Sequence, residues 1–356
     1  MSVFKGKRIS AEIYGESHAP EIGVKVTGFP ELEIDFIALS DLLKRRKPSS
    51  SAFSTKRKED DEPFFFGDDG KPITDGKLPS SWTAKIYNSD VKSGDYNELY
   101  GKPRPSHADY ASYLKEGALD YSGGGRFSAR LTAPLCVAGG VALQYLKTRG
   151  VKISAFVSEV GGIYGGSYKT ENLSTEKIEK LRAGEFPSLY NKAEILSAIK
   201  AAASDKDSLG GRVDCVVSGL PAGLGDNLFC GLESKIASLV YAIPAVKGVE
   251  FGAGFGFAEM RGSKANDPLR FENGRVTLAK NDAGGINGGI SNGADITFSA
   301  AFRPTPSIAK EQNTVDLVKK ENATIQIKGR HDACVVPRAV PVVECAAALA
   351  LLDEIL

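Results

Sequence analysis

Histidine is the scarcest of the chain's proton-transfer residues, with three copies in 356 residues. Cysteine is also thin: Cys136, Cys215, Cys230, Cys334 and Cys345 are odd in number and form no CxxC pair, which argues against a zinc site or a secreted disulfide framework. Cys136, Cys215 and Cys345 lie in apolar runs and read as small core residues. The chain lacks a charge excess, since its net charge is +1, so no bulk field draws it to nucleic acid or to a membrane. It lacks a membrane-length apolar run as well. The uncharged stretch from Leu131 to Leu146 is too short for a bilayer and contains Pro134, Gly139 and Gly140, as a buried helix could. Met1 to Arg8 carries no hydrophobic block of the signal-peptide kind, so a cytoplasmic protein is expected. No solenoid repeat, long Pro/Ser linker, Walker loop or Rossmann GxGxxG is present.

Ordinary globular composition is present: 42 % hydrophobic and 25 % charged residues, enough for a substantial core. Apolar spacing and end signals place helices over Asp35 to Arg46, Phe127 to Arg149, Leu228 to Ala242 and Val340 to Leu356. Strands are expected over Val151 to Val157, Arg212 to Ser218, Ala294 to Phe302 and Ala323 to Lys328. Lys44 to Lys77 reads as a long loop carrying hairpin fragments, and Gly165 to Glu185 as a second surface excursion. Strands and helices do not alternate in a βαβ rhythm, so the pattern gives mixed α and β without a topology.

The chemistry concentrates in a few polar, glycine- or proline-marked segments. Each histidine lies in one: Gly15-Glu16-Ser17-His18, Arg104-Pro105-Ser106-His107-Ala108-Asp109-Tyr110 and Lys328-Gly329-Arg330-His331-Asp332. An imidazole titrates near neutrality and so suits proton transfer, although a lone histidine is more often a cap or surface residue. Ser106 and Asp109 match a capping box, which would put His107 at a helix start. In Gly123-Gly124-Gly125-Arg126-Phe127-Ser128-Ala129-Arg130, glycines permit close backbone approach and two arginines four apart can face one anion. The glycine-rich Asp282 to Gly293 and the segment Arg303-Pro304-Thr305-Pro306-Ser307 offer further ligand-facing loops, or plain turns. The basic clusters Lys44 to Lys47 and Lys56 to Lys58 lack aromatic interleaving. A small, multiply anionic substrate explains them better than DNA or RNA.

Taken in order, these segments, together with Arg45-Arg46-Lys47-Pro48, Pro221 to Gly225, Ala245 to Glu250 and Gly284 to Ser291, resemble the chorismate synthase family along essentially the whole chain. The resemblance implies an α+β fold: a single-domain β–α–β sandwich, residues 1–356, with helices between antiparallel sheets and assembly as a homotetramer. It implies a lyase of the shikimate pathway that makes chorismate by 1,4-anti elimination of phosphate from 5-enolpyruvylshikimate-3-phosphate. Reduced FMN would be the cofactor and NADPH a possible reductant, with no metal, nucleic acid or membrane involved. By position, His18 would assist the leaving phosphate, His107 would protonate reduced flavin, and Asp332 would relay a proton with flavin N5. Flavin contacts would fall on Arg126, Phe127, Ser128, Pro244, Ala245, Gly288, Arg303, Pro304, Thr305, Pro306, Ser307 and Arg330. Substrate anions would meet Arg46, Arg130 and Arg338, and Arg46 is also where an NADPH contact would fall.

The chain departs from the family pattern at five places. Ala19-Pro20 follows His18, and Ser106 precedes His107, where glycine is usual; Phe127 replaces a small residue, Leu131 a glutamate and Ala52 an arginine. A non-catalytic flavin- or phosphate-binding paralogue of the same fold is the alternative reading, against which retention of His18, His107 and Asp332 speaks.

Overall fold

The computed structural model describes residues 1–47, 60–88, 100–117, 124–171, 173, 175–182, 186–327 and 332–356. The N-terminal strands are β1 (Ser2–Lys5), β2 (Ser10–Gly15), β3 (Glu21–Thr27), β4 (Leu32–Glu33), β5 (Phe64–Gly67), β6 (Pro72–Ile73), β7 (Lys77–Leu78) and β8 (Trp82–Tyr87). Those further along are β9 (Lys152–Val160), β10 (Ile163–Tyr164), β11 (Gly211–Ser218), β12 (Val246–Phe251), β13 (Leu269–Glu272) and β14 (Arg275–Leu278). The last are β15 (Ile286–Asn287), β16 (Ile290–Ser291), β17 (Ile296–Phe302), β18 (Glu311–Asp316) and β19 (Glu321–Gln326). The helices are α1 (Phe36–Arg46), α2 (Asp109–Glu116), α3 (Thr132–Thr148), α4 (Thr175–Arg182), α5 (Lys192–Ser204), α6 (Leu232–Tyr241), α7 (Gly262–Ala265) and α8 (Val336–Ile355).

Two antiparallel sheets enclose the helices. One runs β1-β2-β3-β8-β5-β6 and the other β10-β9-β11-β17-β12. In β3 and β8, Ile22, Val24, Val26, Trp82, Ala84 and Ile86 are buried at alternate positions, giving the first sheet one apolar face. Helix α3 lies on that face; α8 lies on α3 and on β9 and β11 of the second sheet, with α1 and α6 against it. Helices α3 and α8 are apolar around most of their circumference because each is covered on several sides. They cross closely at Gly139, where an added Cβ would sit 2.3 Å from the Cβ of Cys345.

The charges that α8 carries into the core are spent on tying layers together. Glu344 is fully buried; it pairs with both terminal nitrogens of Arg45 at 2.9 and 3.2 Å and accepts the Ala155 amide of β9 at 2.8 Å. Burial disfavours the Arg45 cation, but the Glu344 carboxylate outweighs it and the guanidinium is held above its ordinary pKa. Asp353 accepts the amides of Lys7, Arg8 and Ile9 at 2.9, 2.8 and 3.1 Å, fastening the first hairpin to the end of α8.

Several expectations shift. The helix expected over Phe127–Arg149 begins only at Thr132, after two 3-10 turns (Gly125–Phe127 and Ala129–Leu131), with Pro134 in its first turn where its missing N–H costs nothing. The segment Leu228–Ala242 breaks at Gly231 into a 3-10 turn and α6. The last helix begins at Val336, earlier than Val340, with Pro337 in its first turn and Pro341 inside. Lys44–Lys77 is more ordered than a loop, since β5 and β6 complete the first sheet and Phe65 is core; its residues 48–59, which include Ala52 and Lys56 to Lys58, lie outside the described residues. Gly165–Glu185 contains α4 and buries Leu173 and Ile178 against Phe156 and Val216 on the outer face of the second sheet. The four expected strands form with shifted ends, as β9, β11, β17 and β19. None of the four expected strands belongs to the N-terminal sheet.

Gly139→Ala is expected to cost about 1–3 kcal/mol through overpacking of the α3–α8 crossing. Urea denaturation checks this, and an unchanged midpoint would show that the helices have room to separate.

Candidate active site

A cavity of about 720 Å³ opens where the ends of the buried helices meet loops from both sheets. Its size is that of a small-molecule site. The starts of α3 and α8 reach it, and helix N-termini favour anions through their free N–H groups and dipole. Its lining mixes the apolar side chains Ile243, Val246, Phe302, Val335 and Val342 with the cations Arg46, Arg104, Arg130 and Arg338.

The cations are held by carboxylates. Arg46, the last residue of α1, and Arg130, in the 3-10 turn before α3, are both 4 % exposed and both pair with Asp61, whose side chain is fully buried. Arg46 also donates to Thr132 Oγ1 at 3.2 Å, and Arg130 Nε donates to Asn88 Oδ1 at 3.0 Å. Arg338, in the first turn of α8, donates through Nε to the Arg46 carbonyl at 2.9 Å and pairs with Asp332. Burial alone would push the Asp61 carboxyl up, but Arg46 and Arg130 outweigh it and hold it below the ordinary carboxylate range.

A second set orients His107. Its Nδ1 is 2.5 Å from Asp109 Oδ1, while Arg104 donates to Asp109 through Nε and Nη2, both at 2.7 Å, and through its backbone amide at 3.0 Å. Arg104 Nη2 and His107 Nδ1 also lie 3.0 Å apart, as two donors converging on one carboxylate oxygen. Burial raises the Asp109 carboxyl, yet the hydrogen bonds from Arg104 and His107 prevail and hold it well below its usual range. The expected capping box is therefore not formed: Asp109 serves Arg104 and His107, α2 starts at Ala108 without a side-chain cap, and Ser106 takes a left-handed backbone, φ +59°. His18 sits in the turn between β2 and β3, which is tied to the glycine loop by the Ser17 amide donating to the Gly125 carbonyl at 3.3 Å.

Of the residues singled out from the sequence, His18, His107, Asp332, Arg126, Phe127, Ser128, Pro244, Ala245, Arg303, Thr305, Pro306, Ser307, Arg46, Arg130 and Arg338 all line this one cavity. Pro304 and Gly288 do not line it; Gly288 forms the turn between β15 and β16. Arg330 and His331 lie outside the described residues. Arg45, grouped with its basic neighbours as substrate-facing, instead turns into the core toward Glu344. Arg126 is half-exposed, pairs with Glu116 of α2 and lies over the Phe127 ring, 4.9 Å from its centroid. Sequence reasoning gave no role to Asp61, Arg104, Asn88 or Thr132, and gave Asp109 only that of a helix cap. Asp109 and Arg104 were within reach, since both flank His107 in its motif. Asp61 sits in the acidic run Glu59 to Glu62 and carries no local signal.

Asp61 and Asp109 make stability depend on acid. A depressed folded pKa contributes stability that is complete above the unfolded value, near 3.9, and is lost as pH falls through the folded value. The urea midpoint is expected to fall as pH drops below about 4, and less steeply in Asp109→Asn. Identical pH slopes for the two proteins would contradict the Asp109 pairing.

The family model described as chorismate synthase matches residues 9–356. The chain is 41 % identical over 354 residues to the chorismate synthase of Korarchaeum cryptofilum, covering 99 % of this chain and 96 % of that one. It is 41 % identical over 355 residues to that of Thermococcus kodakarensis, covering 99 % and 97 %. A crystal structure of chorismate synthase superimposes with a TM-score of 0.72 at 23 % identity, covering 98 % of this chain and 92 % of that one, which shows a shared fold. With the two-sheet sandwich, the near-full-length identity and the family match in agreement, the chain belongs to the chorismate synthase family.

Proposed function

We propose that this chain releases phosphate from 5-enolpyruvylshikimate-3-phosphate to give chorismate, in the cytoplasm, with reduced FMN bound in the cavity described above. The observation that carries this reading is the convergence of His18, His107 and Asp332 with Arg46, Arg130 and Arg338 in one cavity from five separate chain segments. The cavity suits a ring with a phosphate tail. It has apolar side chains beside cationic ones, and Thr305 Oγ1 is buried there without a hydrogen-bond partner. Arg126 to Ser128, Pro244, Ala245 and Arg303 to Ser307 would hold the flavin, Pro304 through the backbone of its turn. Gly288 would add to it only from outside the cavity. The reduced flavin supplies electron density transiently while the substrate's carbon–oxygen bond breaks.

The chain's own residues have distinct tasks. Loss of phosphate builds negative charge on the departing oxygens, and preorganised guanidiniums in a water-poor cavity stabilise that charge without reorganising. Arg46, Arg130 and Arg338 would bind the phosphate and carboxylates, while His18 would protonate or hydrogen-bond the leaving group. Asp109 takes the Nδ1 side of His107 and so leaves Nε2 as the nitrogen available to the cavity. Asp332, fixed by Arg338, would accept a proton beside the flavin.

The chain from 1 to 356 is read as one domain, supported by a core cluster that spans residues from Ile9 to Leu352. Assembly as a homotetramer is supported by exposed apolar side chains: Leu228 at 79 %, Phe229 at 93 %, Phe255 at 82 % and Phe271 at 79 %. No described helix is long and apolar enough to cross a membrane.

Under anaerobic conditions with reduced FMN, the chain is expected to release phosphate and chorismate from the substrate; absence of both products refutes the reading. Running the same assay with oxidised FMN and NADPH reports whether Arg46 and its neighbours support flavin reduction by the chain itself. His107→Ala and Asp332→Asn are each expected to lower kcat by roughly 100-fold. The thermal melt of His107→Ala stays near that of the wild type, whereas Asp332→Asn also lowers the melt by stripping Arg338 of its counter-charge. Normal turnover in either variant would remove the role given to that residue.

A further inference from the structure

The cavity holds an apparent contradiction. A site built for an anionic ligand carries a fully buried carboxylate, Asp61, at the meeting point of two of its guanidiniums. Arg46 and Arg130 approach it from separate elements, the end of α1 and the turn before α3, and each takes a different oxygen: Arg46 meets Oδ2 and Arg130 meets Oδ1. The backbone of Asp61 is left-handed, φ +52°, a conformation that aspartate and asparagine adopt more readily than most L-residues. Arg46 Nε, meanwhile, is buried without a hydrogen-bond partner, so this guanidinium retains an unused donor.

Resting on the function proposed above, we propose that Asp61 is an internal counter-anion that fixes Arg46 and Arg130 and sets the specificity of the site against small free anions. Among the described residues, the two guanidiniums and one carboxylate of this trio leave a single net positive charge. A lone inorganic phosphate that binds here meets one net charge and forks already half used by Asp61. A substrate carrying a phosphate and two carboxylates can also reach Arg338, which is linked to Arg46 through its carbonyl, and so gathers more cationic contacts at once. Asp61 thus weakens the hold on the free phosphate that the reaction produces, while keeping the guanidiniums aligned for the intact substrate.

The test uses inorganic phosphate as the probe, titrated calorimetrically into the flavin-free full-length protein. Asparagine is the right replacement: it matches the shape of aspartate and tolerates a left-handed backbone. Removing one buried charge a few ångströms from the anion is expected to tighten phosphate binding by about tenfold or more in Asp61→Asn. Phosphate should become a correspondingly stronger inhibitor of turnover. Damage to the fold alone would weaken binding, so equal or weaker phosphate affinity in the variant overturns the proposal. If Asp61→Asn is unfolded in buffer, phosphate is expected to restore its folding transition by replacing the lost charge; a variant that stays unfolded in saturating phosphate also overturns it. Because phosphate binding is read without turnover, failure here is separable from failure of the wild-type chain to form chorismate.

Discussion

Four arginines withdrawn from water must each find a negative partner, and this requirement organises the cavity. A desolvated guanidinium without a counter-charge would cost several kcal/mol. Arg46 and Arg130 share Asp61, Arg338 takes Asp332, and Arg104 takes Asp109. In each case the pairing also sets a direction, because a carboxylate accepts along defined lone-pair directions and a guanidinium donates in a plane. The network therefore presents cations already aligned, so an arriving anion need not rearrange them.

The same rule separates Arg45 from Arg46. Adjacent residues on a helix point about 100° apart. Arg45 reaches Glu344, which also accepts the Ala155 amide in the core, while Arg46 reaches Asp61 at the cavity. The core pair ties α1 to α8 and to the second sheet, and through that frame it steadies the Arg46 carbonyl that receives Arg338. Structural and functional charge are thus neighbours in sequence with separate duties. Arg303 plays a comparable part elsewhere in the cavity lining. Its amide donates to the Ala245 carbonyl at 2.9 Å and its Nη1 to the Ser106 carbonyl at 2.7 Å, and both of those residues have left-handed backbones. Left-handed backbone at Asp61, Ser106 and Ala245 falls around one cavity, consistent with a site whose backbone is over-determined by its surroundings.

Much of this was legible in the sequence. Helices α1, α3, α6 and α8 announced themselves because burial imposes apolar spacing, and β9, β11 and β17 of the second sheet because they are largely apolar; β10 and β12 of the same sheet were not read from the sequence. The first sheet was missed although β3 and β8 alternate buried apolar residues with more exposed ones, the period-2 signal of a half-buried strand; β1, of four mostly exposed residues, carries no such signal. The motifs that resemble the family delivered most of the cavity wall. What they could not deliver was the partner of each charge. Asp61 lies 15 residues from Arg46 and 69 from Arg130. Only the fold brings them together, and no local spacing encodes the pairing. The glycine usual before His107 explains itself in the same way: the position is left-handed, and Ser106 occupies it at a steric cost.

Convergence of histidines far apart in sequence is the claim on which the account rests, and a chain with three histidines makes it directly measurable. Imidazole nitrogen–proton correlation spectra, assigned by single His→Gln variants, can be followed as substrate is added to the flavin-loaded protein. Simultaneous shifts of the His18 and His107 signals, saturating at one substrate concentration, are the expected result. A spectrum in which either signal stays fixed while substrate binds would contradict the shared cavity.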